Sequence, residues 1–215
     1  NPKSAQWLKN NIGFSGEAWV GHLRYGTYGK NSIESCHPFL RQNNWRSRNL
    51  VMAGNFNMTN VDELFDLLIE LGQHPKEKTD TVTVMEKIGH FIDEENQRIF
   101  DKYKKKKSNA EITEVIENQM DIQRVLKRSF KDFDGGYAMV GLLGHGASFV
   151  VRDPNGIRPA YKYIDDEVVV VASEKQAIKA AFNVNYDEIN EVQPGHALIV
   201  HKNAEWEEVD RKSVV

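Results

Sequence analysis

The fold is decided by two apolar runs that a glycine-containing turn joins: Tyr137-Ala138-Met139-Val140-Gly141-Leu142-Leu143, then Gly144-His145-Gly146, then Ala147-Ser148-Phe149-Val150-Val151-Arg152. Both runs are mostly apolar and have the length of strands, so they predict a pair of β-strands. Toward the carboxyl terminus, the same pattern predicts strands at 159–164, 167–172, 196–201 and 206–209. A short helix opening at Ser173-Glu174 interrupts them.

Toward the amino terminus, the pattern changes to helices. One helix is predicted between Asn60 and Gly72, a second from Thr79 or Asp80, and a third from near Asn109 through Leu126. The charged run 101–107 is interpreted as a solvated helix end or loop. Short strands are predicted at 17–24 and 50–53. Helices in the middle with strands at both ends predict an α+β fold whose sheets pack face to face.

Composition narrows the class of protein. Of the 215 residues, 40% are hydrophobic and 10% aromatic, which suits one large domain with a sizeable core. A formal net charge of −3 gives no general attraction to nucleic acid or to an anionic membrane. The single cysteine, Cys36, excludes an internal disulfide and a multi-cysteine metal site, and the histidines show no metal-binding spacing. We expect a soluble, cytoplasmic protein without a metal in this chain.

Three stretches carry residues suited to recognising a free amino acid. Arg24 precedes a glycine-rich turn, and a guanidinium can donate two parallel hydrogen bonds to a carboxylate. Asp80 could accept hydrogen bonds from an ammonium group, although an N-cap is the simpler interpretation. Gly54-Asn55 follows an apolar strand and is either a turn or an oxyanion site. Cys36-His37 is a poor catalytic dyad because adjacent extended residues point apart, and Asp153-Pro154-Asn155-Gly156 by itself indicates a turn.

A resemblance to a known family joins these stretches. The matching pieces, in the order of the family's motifs, are His22-Leu23-Arg24-Tyr25-Gly26-Thr27-Tyr28-Gly29, His37-Pro38-Phe39, Gly54-Asn55 with Thr59-Asn60, Thr79-Asp80-Thr81, Gly135-Gly136-Tyr137-Ala138, Arg152 through Pro159, and Ala172-Ser173-Glu174. Together they resemble the glutamine amidotransferase domain of the N-terminal-nucleophile type, and most closely that of the amidophosphoribosyltransferases of purine synthesis. The likeness spans residues 18 to about 200.

The resemblance implies a fold and a domain organisation. It implies the four-layer α/β/β/α sandwich of the N-terminal-nucleophile hydrolases, lacking its first strand. Residues 1–215 would form a single type-2 glutamine amidotransferase domain, cut from a longer protein, with a helical insertion at about 80–130. A phosphoribosyltransferase domain that uses Mg²⁺ would follow downstream, and the whole protein would form a homo-oligomer.

The resemblance also implies a reaction, the hydrolysis of the glutamine amide to supply ammonia. An N-terminal cysteine attacks the amide, and its own α-amine acts as the base. Arg24 would bind the α-carboxylate of glutamine, Asp80 its α-ammonium, and Thr27 would line the same pocket. Gly54 would donate a backbone N–H to the oxyanion, with Asn55 as a further polar wall. The ammonia would then displace pyrophosphate from phosphoribosyl pyrophosphate to make phosphoribosylamine.

Two features depart from the family. No cysteine stands near position 1, so we expect the nucleophile upstream of Asn1 and no glutaminase activity from this chain alone. Ala53 stands where the family carries an asparagine that donates to the oxyanion, and a lost donor of this kind costs about 10²–10³ in rate. The alternatives are therefore a truncated glutaminase domain, a non-catalytic regulatory or assembly module with the same fold, and an asparagine-synthetase-type amidotransferase.

Overall fold

The computed structural model describes residues 2–23, 36–75 and 77–210, and within these ranges the chain forms two antiparallel sheets with helices outside them. The strands are β1 (Phe39–Arg41), β2 (Leu50–Met58), β3 (Gly135–Leu143), β4 (Ser148–Arg152), β5 (Tyr161–Ile164), β6 (Val169–Ala172), β7 (Asn190–Glu191), β8 (His196–Val200) and β9 (Trp206–Asp210). The helices are α1 (Pro2–Asn11), α2 (Val61–Glu70), α3 (Asp80–Tyr103), α4 (Asn109–Gln119), α5 (Ile122–Ser129) and α6 (Lys175–Phe182), and Arg46–Arg48 and Tyr186–Glu188 are 3₁₀ turns.

The elements stack in four layers. The large sheet has the strand order β1-β2-β3-β4-β8-β9, and the small sheet has the order β6-β5-β7. Helices α3 and α5 pack on one face of the large sheet, the small sheet packs on its other face, and α6 packs on the small sheet. This arrangement confirms the predicted α+β fold with α/β/β/α layering.

Strand β3 shows why the layers form. Its side chains alternate between the two faces of the sheet, as the strand period of two requires. Tyr137 and Met139 are fully buried in the core under the helices, whereas Ala138 and Val140 contact the core between the sheets. Because both faces of β3 are apolar, the strand is stable only with a layer on each side.

Two local predictions were wrong. Residues 17–23 form no strand, and Trp19 and Leu23 in this segment are exposed. An isolated strand has no stabilising ladder, and in neither described sheet does a strand pair with this segment. The helix predicted from Asn109 through Leu126 is two helices, because the chain turns at Met120 and the Asp121 carboxylate caps α5 by accepting a 2.8 Å hydrogen bond from the Arg124 N–H.

An arginine ties the edge strand β1 to the long helix α3. Arg41 Nε donates to Glu86 at 3.0 Å, and its Nη2 donates to Asp93 at 2.7 Å. The side chain crosses α3 directly over Gly89, where a Cβ atom would lie 2.2 Å from Arg41 Nε. A helix-weakening glycine is therefore present at this position because the guanidinium occupies the space of its side chain.

We expect Gly89→Ala to lower the free energy of unfolding by about 1–3 kcal/mol, because the new methyl group overlaps Arg41. In an Arg41→Ala background the same change should be neutral or stabilising by up to about 1 kcal/mol, since alanine favours the helix. Urea unfolding of the four proteins of this double-mutant cycle measures both values. An equal cost of Gly89→Ala in the two backgrounds would contradict the overlap.

The buried carboxylate of Glu117, on α4, pairs with two cationic side chains near the turn of the β3–β4 hairpin. The Glu117 side chain is 1% exposed and accepts hydrogen bonds from Arg46 at 2.5 and 2.9 Å and from Lys202 at 2.8 Å. Burial alone would raise the pKa of Glu117, but the hydrogen bonds from Lys202 and Arg46 outweigh it and lower the pKa. His145 in the hairpin turn is buried nearby, and burial, reinforced by the positive charges of Lys202 and Arg46 against the opposing effect of Glu117, lowers its pKa to about 4.

The lowered pKa of His145 predicts a loss of stability in mild acid. As the pH falls from 6.5 toward 4, the unfolded chain takes up a proton at His145 and the folded chain does not, so the free energy of unfolding falls. We expect this group to remove roughly 2–3 kcal/mol across that window. Urea unfolding of the parent and of His145→Gln at pH 7.5 and pH 4.5 tests it, and His145→Gln should lose less stability than the parent. Equal losses would contradict the assignment.

Candidate functional site

The candidate site lies along one edge of β2. On one side β2 pairs with β3 over its whole length, from Leu50 to Met58; on the other side, among the described residues, β1 alone pairs with it, from Leu50 to Met52. Beyond Met52, two backbone N–H groups on that side donate hydrogen bonds to side chains and not to a neighbouring strand. The N–H of Gly54 donates to His37 Nδ1 at 3.2 Å, and the N–H of Met58 donates to Asp80 Oδ2 at 3.2 Å.

Gly54 is needed where it stands because β2 and β3 approach closely there. A Cβ at this position would lie 2.6 Å from the Ala138 carbonyl oxygen and 3.0 Å from the Met139 Cα. One interpretation of the sequence was a turn at Gly54-Asn55, and the structure shows that this interpretation is wrong. Strand β3 supplies a ladder partner for every residue of β2, so the strand continues through Gly54 and Asn55 to Met58.

Asp80 is the first residue of α3 but is not its cap. Thr79 is the N-cap, and its hydroxyl accepts from the Val82 N–H at 3.3 Å. The Asp80 carboxylate is therefore directed toward the edge of β2, where one of its oxygens holds the Met58 N–H. The capping function that sequence statistics assign to Asp80 belongs to its neighbour, which leaves the other carboxylate oxygen of Asp80 available for a ligand.

His37 connects the strand edge to the start of α3. Its Nδ1 accepts from Gly54, so the proton is assigned to Nε2, which lies 3.4 Å from the Thr81 hydroxyl. The ring stacks on His22 at a centroid distance of 4.7 Å and meets Phe39 edge-on at 4.9 Å. His37 therefore occupies the place of a strand partner for β2 and brings α3 beside Gly54.

The side-chain positions on β2 bear on the oxyanion hypothesis. Ala53 is 1% exposed and is paired with Val140, so this position presents only a buried methyl group. Asn55 and Asn57 follow on the same face at alternate positions and are exposed. Gly54 and Met58 are four residues apart, roughly 13 Å at ~3.3 Å per residue, so the donor of Gly54 and the carboxylate at Met58 border one stretch of strand edge.

The predicted site residues fall into two groups. Gly54, Asn55 and Asp80 lie on or beside the open part of β2. Arg24 and Thr27 lie outside the described residues, so their positions stay predictions. In the sequence, His37 is half of a poor dyad with Cys36 and part of the family motif His37-Pro38-Phe39. Its contact with the Gly54 N–H depends on a pairing between β1 and β2 that the sequence did not reveal.

The loop after β4 closes the end of the large sheet next to β2, and its centre is Asp153. This side chain is fully buried and accepts from four backbone N–H groups, those of Tyr137, Asn155, Ile157 and Arg158, at 3.0–3.3 Å. Burial alone would raise the pKa of Asp153, but these donors outweigh it and lower the pKa. The Asp153 stretch is thus a structural centre and more than the simple turn that its local sequence indicates.

Arg152 supports the same loop from the other direction. It is 7% exposed and donates to the carbonyl oxygens of Gly156, Arg158 and Val192, and to the Glu191 carboxylate at 2.9 Å. The loop then places the Ile157 side chain against Gly136, which is the β3 partner of Asn57. Arg152 and Asp153 therefore fix the position of the loop that lies beside the end of β2.

Metal binding and membrane crossing each require a recognisable arrangement of residues. No group of three or more histidine, cysteine, aspartate or glutamate residues is placed there to hold a metal ion. None of the helices that the structure describes combines the length and the apolar character that a bilayer crossing requires. The described polar groups at the β2 edge include the N–H groups of Gly54 and Met58, the His37 imidazole and the Asp80 carboxylate.

Comparison with known proteins identifies the kind of domain. A family model described as a glutamine amidotransferase domain matches residues 31–180. The amidophosphoribosyltransferase of Methanothermobacter thermautotrophicus is 26% identical over 206 residues, which cover 96% of this chain and 36% of that protein. The amidophosphoribosyltransferase of Pasteurella multocida is 28% identical over 191 residues, which cover 86% of this chain and 33% of that protein. The chain thus spans about a third of the length of the curated relatives it matches.

Solved structures agree with the layering. The glutamine phosphoribosylpyrophosphate amidotransferase of B. subtilis, solved with ADP and GMP, superposes with a TM-score of 0.59 at 24% identity, covering 90% of this chain and 35% of that one. A structure described as the allosteric regulatory enzyme of purine biosynthesis also superposes with a TM-score of 0.59, at 25% identity and with the same coverage. The fold is that of an N-terminal-nucleophile-type glutamine amidotransferase domain.

The environment of Asp153 predicts a large effect of a nearly isosteric change. Asp153→Asn removes the charge and turns an amide NH₂ toward N–H donors, so we expect the free energy of unfolding to fall by about 3 kcal/mol. Asp165→Asn is the matched control, because Asp165 also accepts from two backbone N–H groups but is exposed. Urea unfolding should show a much smaller change for the control. Equal effects would mean that burial of the Asp153 contacts contributes little.

Proposed function

This chain belongs to the family of glutamine amidotransferase domains, and from that premise we propose that it binds glutamine at the open edge of β2. We propose further that the whole protein is an amidophosphoribosyltransferase-like enzyme in which this domain hydrolyses the glutamine amide and passes on the ammonia. The observation that carries the proposal is that the Gly54 N–H and the Asp80 carboxylate lie along the same edge of one strand.

The polar groups of glutamine fit what this edge and the preceding glycine-rich stretch offer. Its α-ammonium group needs a carboxylate, which Asp80 provides. Its α-carboxylate suits the guanidinium of Arg24, with Thr27 beside it, and its amide oxygen needs an N–H donor, which Gly54 provides. Each partner has the charge or the donor that the substrate group lacks, and this complementarity favours an amino acid with a side-chain amide.

The reaction that follows from this binding is acyl transfer to sulfur. A cysteine thiolate attacks the carbon of the amide, ammonia leaves as the C–N bond breaks, and water then hydrolyses the thioester to glutamate. Negative charge develops on the amide oxygen during the attack, which is where the Gly54 N–H contributes. We expect the attacking N-terminal cysteine to come from protein sequence outside these 215 residues, and Cys36 not to be the nucleophile.

Partners and cofactors follow from the same proposal. Ammonia would be used by a phosphoribosyltransferase domain of the same protein, with phosphoribosyl pyrophosphate as the acceptor substrate and Mg²⁺ bound there. The product would be phosphoribosylamine, an intermediate of purine synthesis. A cytoplasmic homo-oligomer is the expected form of the whole protein.

A second function is favoured by one observation. Ala53 presents a buried methyl group where an oxyanion donor is expected, and this loss suits a domain that keeps the fold for regulation or assembly without hydrolysing glutamine. The two functions differ in hydrolysis but need not differ in binding. Ammonia release from glutamine by the full-length protein separates them.

We expect Asp80→Asn to weaken glutamine binding by about 10- to 100-fold, because the charge-assisted bond to the α-ammonium group is lost. Arg24→Ala should weaken it comparably through the α-carboxylate. Asp62→Asn is the matched control, since Asp62 is also an acid in the first turn of a helix and pairs with Lys78 at 2.8 Å on the surface. Titration calorimetry of the full-length protein with glutamine measures all four affinities.

Two outcomes would contradict the proposal. Unchanged affinity in Asp80→Asn and Arg24→Ala would place glutamine elsewhere. Loss of ammonia release in Cys36→Ser, with glutamine binding intact, would make Cys36 the nucleophile and overturn the assigned reaction.

A further inference from the structure

His37 gains a role in ligand binding if the β2 edge has the proposed function. The Gly54 N–H is the backbone donor that the proposed reaction needs, and it already donates to His37 Nδ1 at 3.2 Å. A backbone N–H has a single proton and makes one well-aligned hydrogen bond. The amide oxygen of glutamine and His37 therefore compete for the same proton, and both cannot hold it in good geometry.

We propose that His37 is a displaceable cap on the Gly54 N–H, and that the side-chain oxygen of the bound amino acid takes its place. In the ligand-free protein the imidazole acts as the acceptor that β1 would supply if it extended two more residue pairs along β2. When ligand binds, Gly54 donates to the ligand oxygen, and His37 Nδ1 turns to solvent.

The contacts of His37 suit a group that leaves its position. The hydrogen bonds that His37 makes with described partners lie at or beyond the upper end of the usual range of about 2.7–3.2 Å, at 3.2 Å to Gly54 and 3.4 Å to the Thr81 hydroxyl. Its ring is half-buried between the rings of His22, Phe39 and Phe56 at centroid distances of 4.7–5.7 Å.

The cap gives the empty site two properties. It satisfies a strand-edge N–H that would otherwise be open to pairing with another chain. It also sets a requirement on the ligand, because only an acceptor oxygen delivered next to Gly54 by a molecule anchored at Asp80 regains the hydrogen bond that is given up. An amino acid with a side-chain amide or carboxylate meets this requirement, whereas alanine or serine is too short to meet it.

The cap predicts a gain of affinity when it is removed. His37→Phe keeps an aromatic ring but has no acceptor, so glutamine should bind about two- to tenfold more tightly, corresponding to the net value of one hydrogen bond. Thr81→Val should act in the same direction by a smaller factor, because it frees only the other end of the imidazole. Thr83→Val is the matched control on the same helix, and its affinity for glutamine should equal that of the parent.

NMR on isotope-labelled full-length protein tests the displacement directly. A scalar coupling between the Gly54 amide nitrogen and His37 Nδ1 reports their hydrogen bond, and we expect it in the free protein and its disappearance at saturating glutamine. Persistence of the coupling in the glutamine complex, or weaker binding by both His37→Phe and Thr81→Val, would overturn the cap and leave His37 as a permanent part of the strand edge. Absence of glutamine binding by the parent and every variant would instead refute the proposed function, and the displacement with it.

Discussion

The ladder between β2 and β3 is the constraint on which the rest of the structure depends. Nine residues of each strand pair without interruption, and this is possible only because Gly54 has no side chain at the point of closest approach. The continuous ladder carries β2 well beyond the end of β1. It thereby creates both the centre of the large sheet and the stretch of edge, unpaired with any other strand that the structure describes, where the candidate site lies.

An uncovered edge exposes backbone donors, and the chain satisfies two of them with side chains from different places. His37 lies two residues before the start of β1, and Asp80 begins α3, yet both act as acceptors for N–H groups of the same strand. A side-chain acceptor can be exchanged for a ligand oxygen far more easily than a strand partner can. The part of the sheet that is least protected by backbone pairing is therefore the part best suited to binding.

The elements around the β2 edge are held by polar contacts, so the exchange of a side-chain acceptor for a ligand oxygen does not require them to move. Arg41 fastens β1 to α3 through Glu86 and Asp93, and Asp153 fastens the loop beside the end of β2 through four backbone N–H groups. The Asp153 carboxylate is buried and the Arg41 guanidinium is partly buried, and each makes several hydrogen bonds, which is the condition under which a buried charge is tolerated. The site is thus held from both sides by polar contacts within the protein core.

The sequence by itself determined the type and the approximate place of most strands and helices, because hydrophobic periodicity and helix caps are local properties. It also selected Gly54, Asn55 and Asp80 through a family resemblance. Only the tertiary structure decided that Gly54 lies inside a strand, that Thr79 and not Asp80 caps α3, and that residues 17–23 form no strand. The contact between His37 and Gly54 likewise follows from strand register. Each of these features depends on which distant segment supplies a hydrogen-bond partner, and the local sequence does not determine that partner.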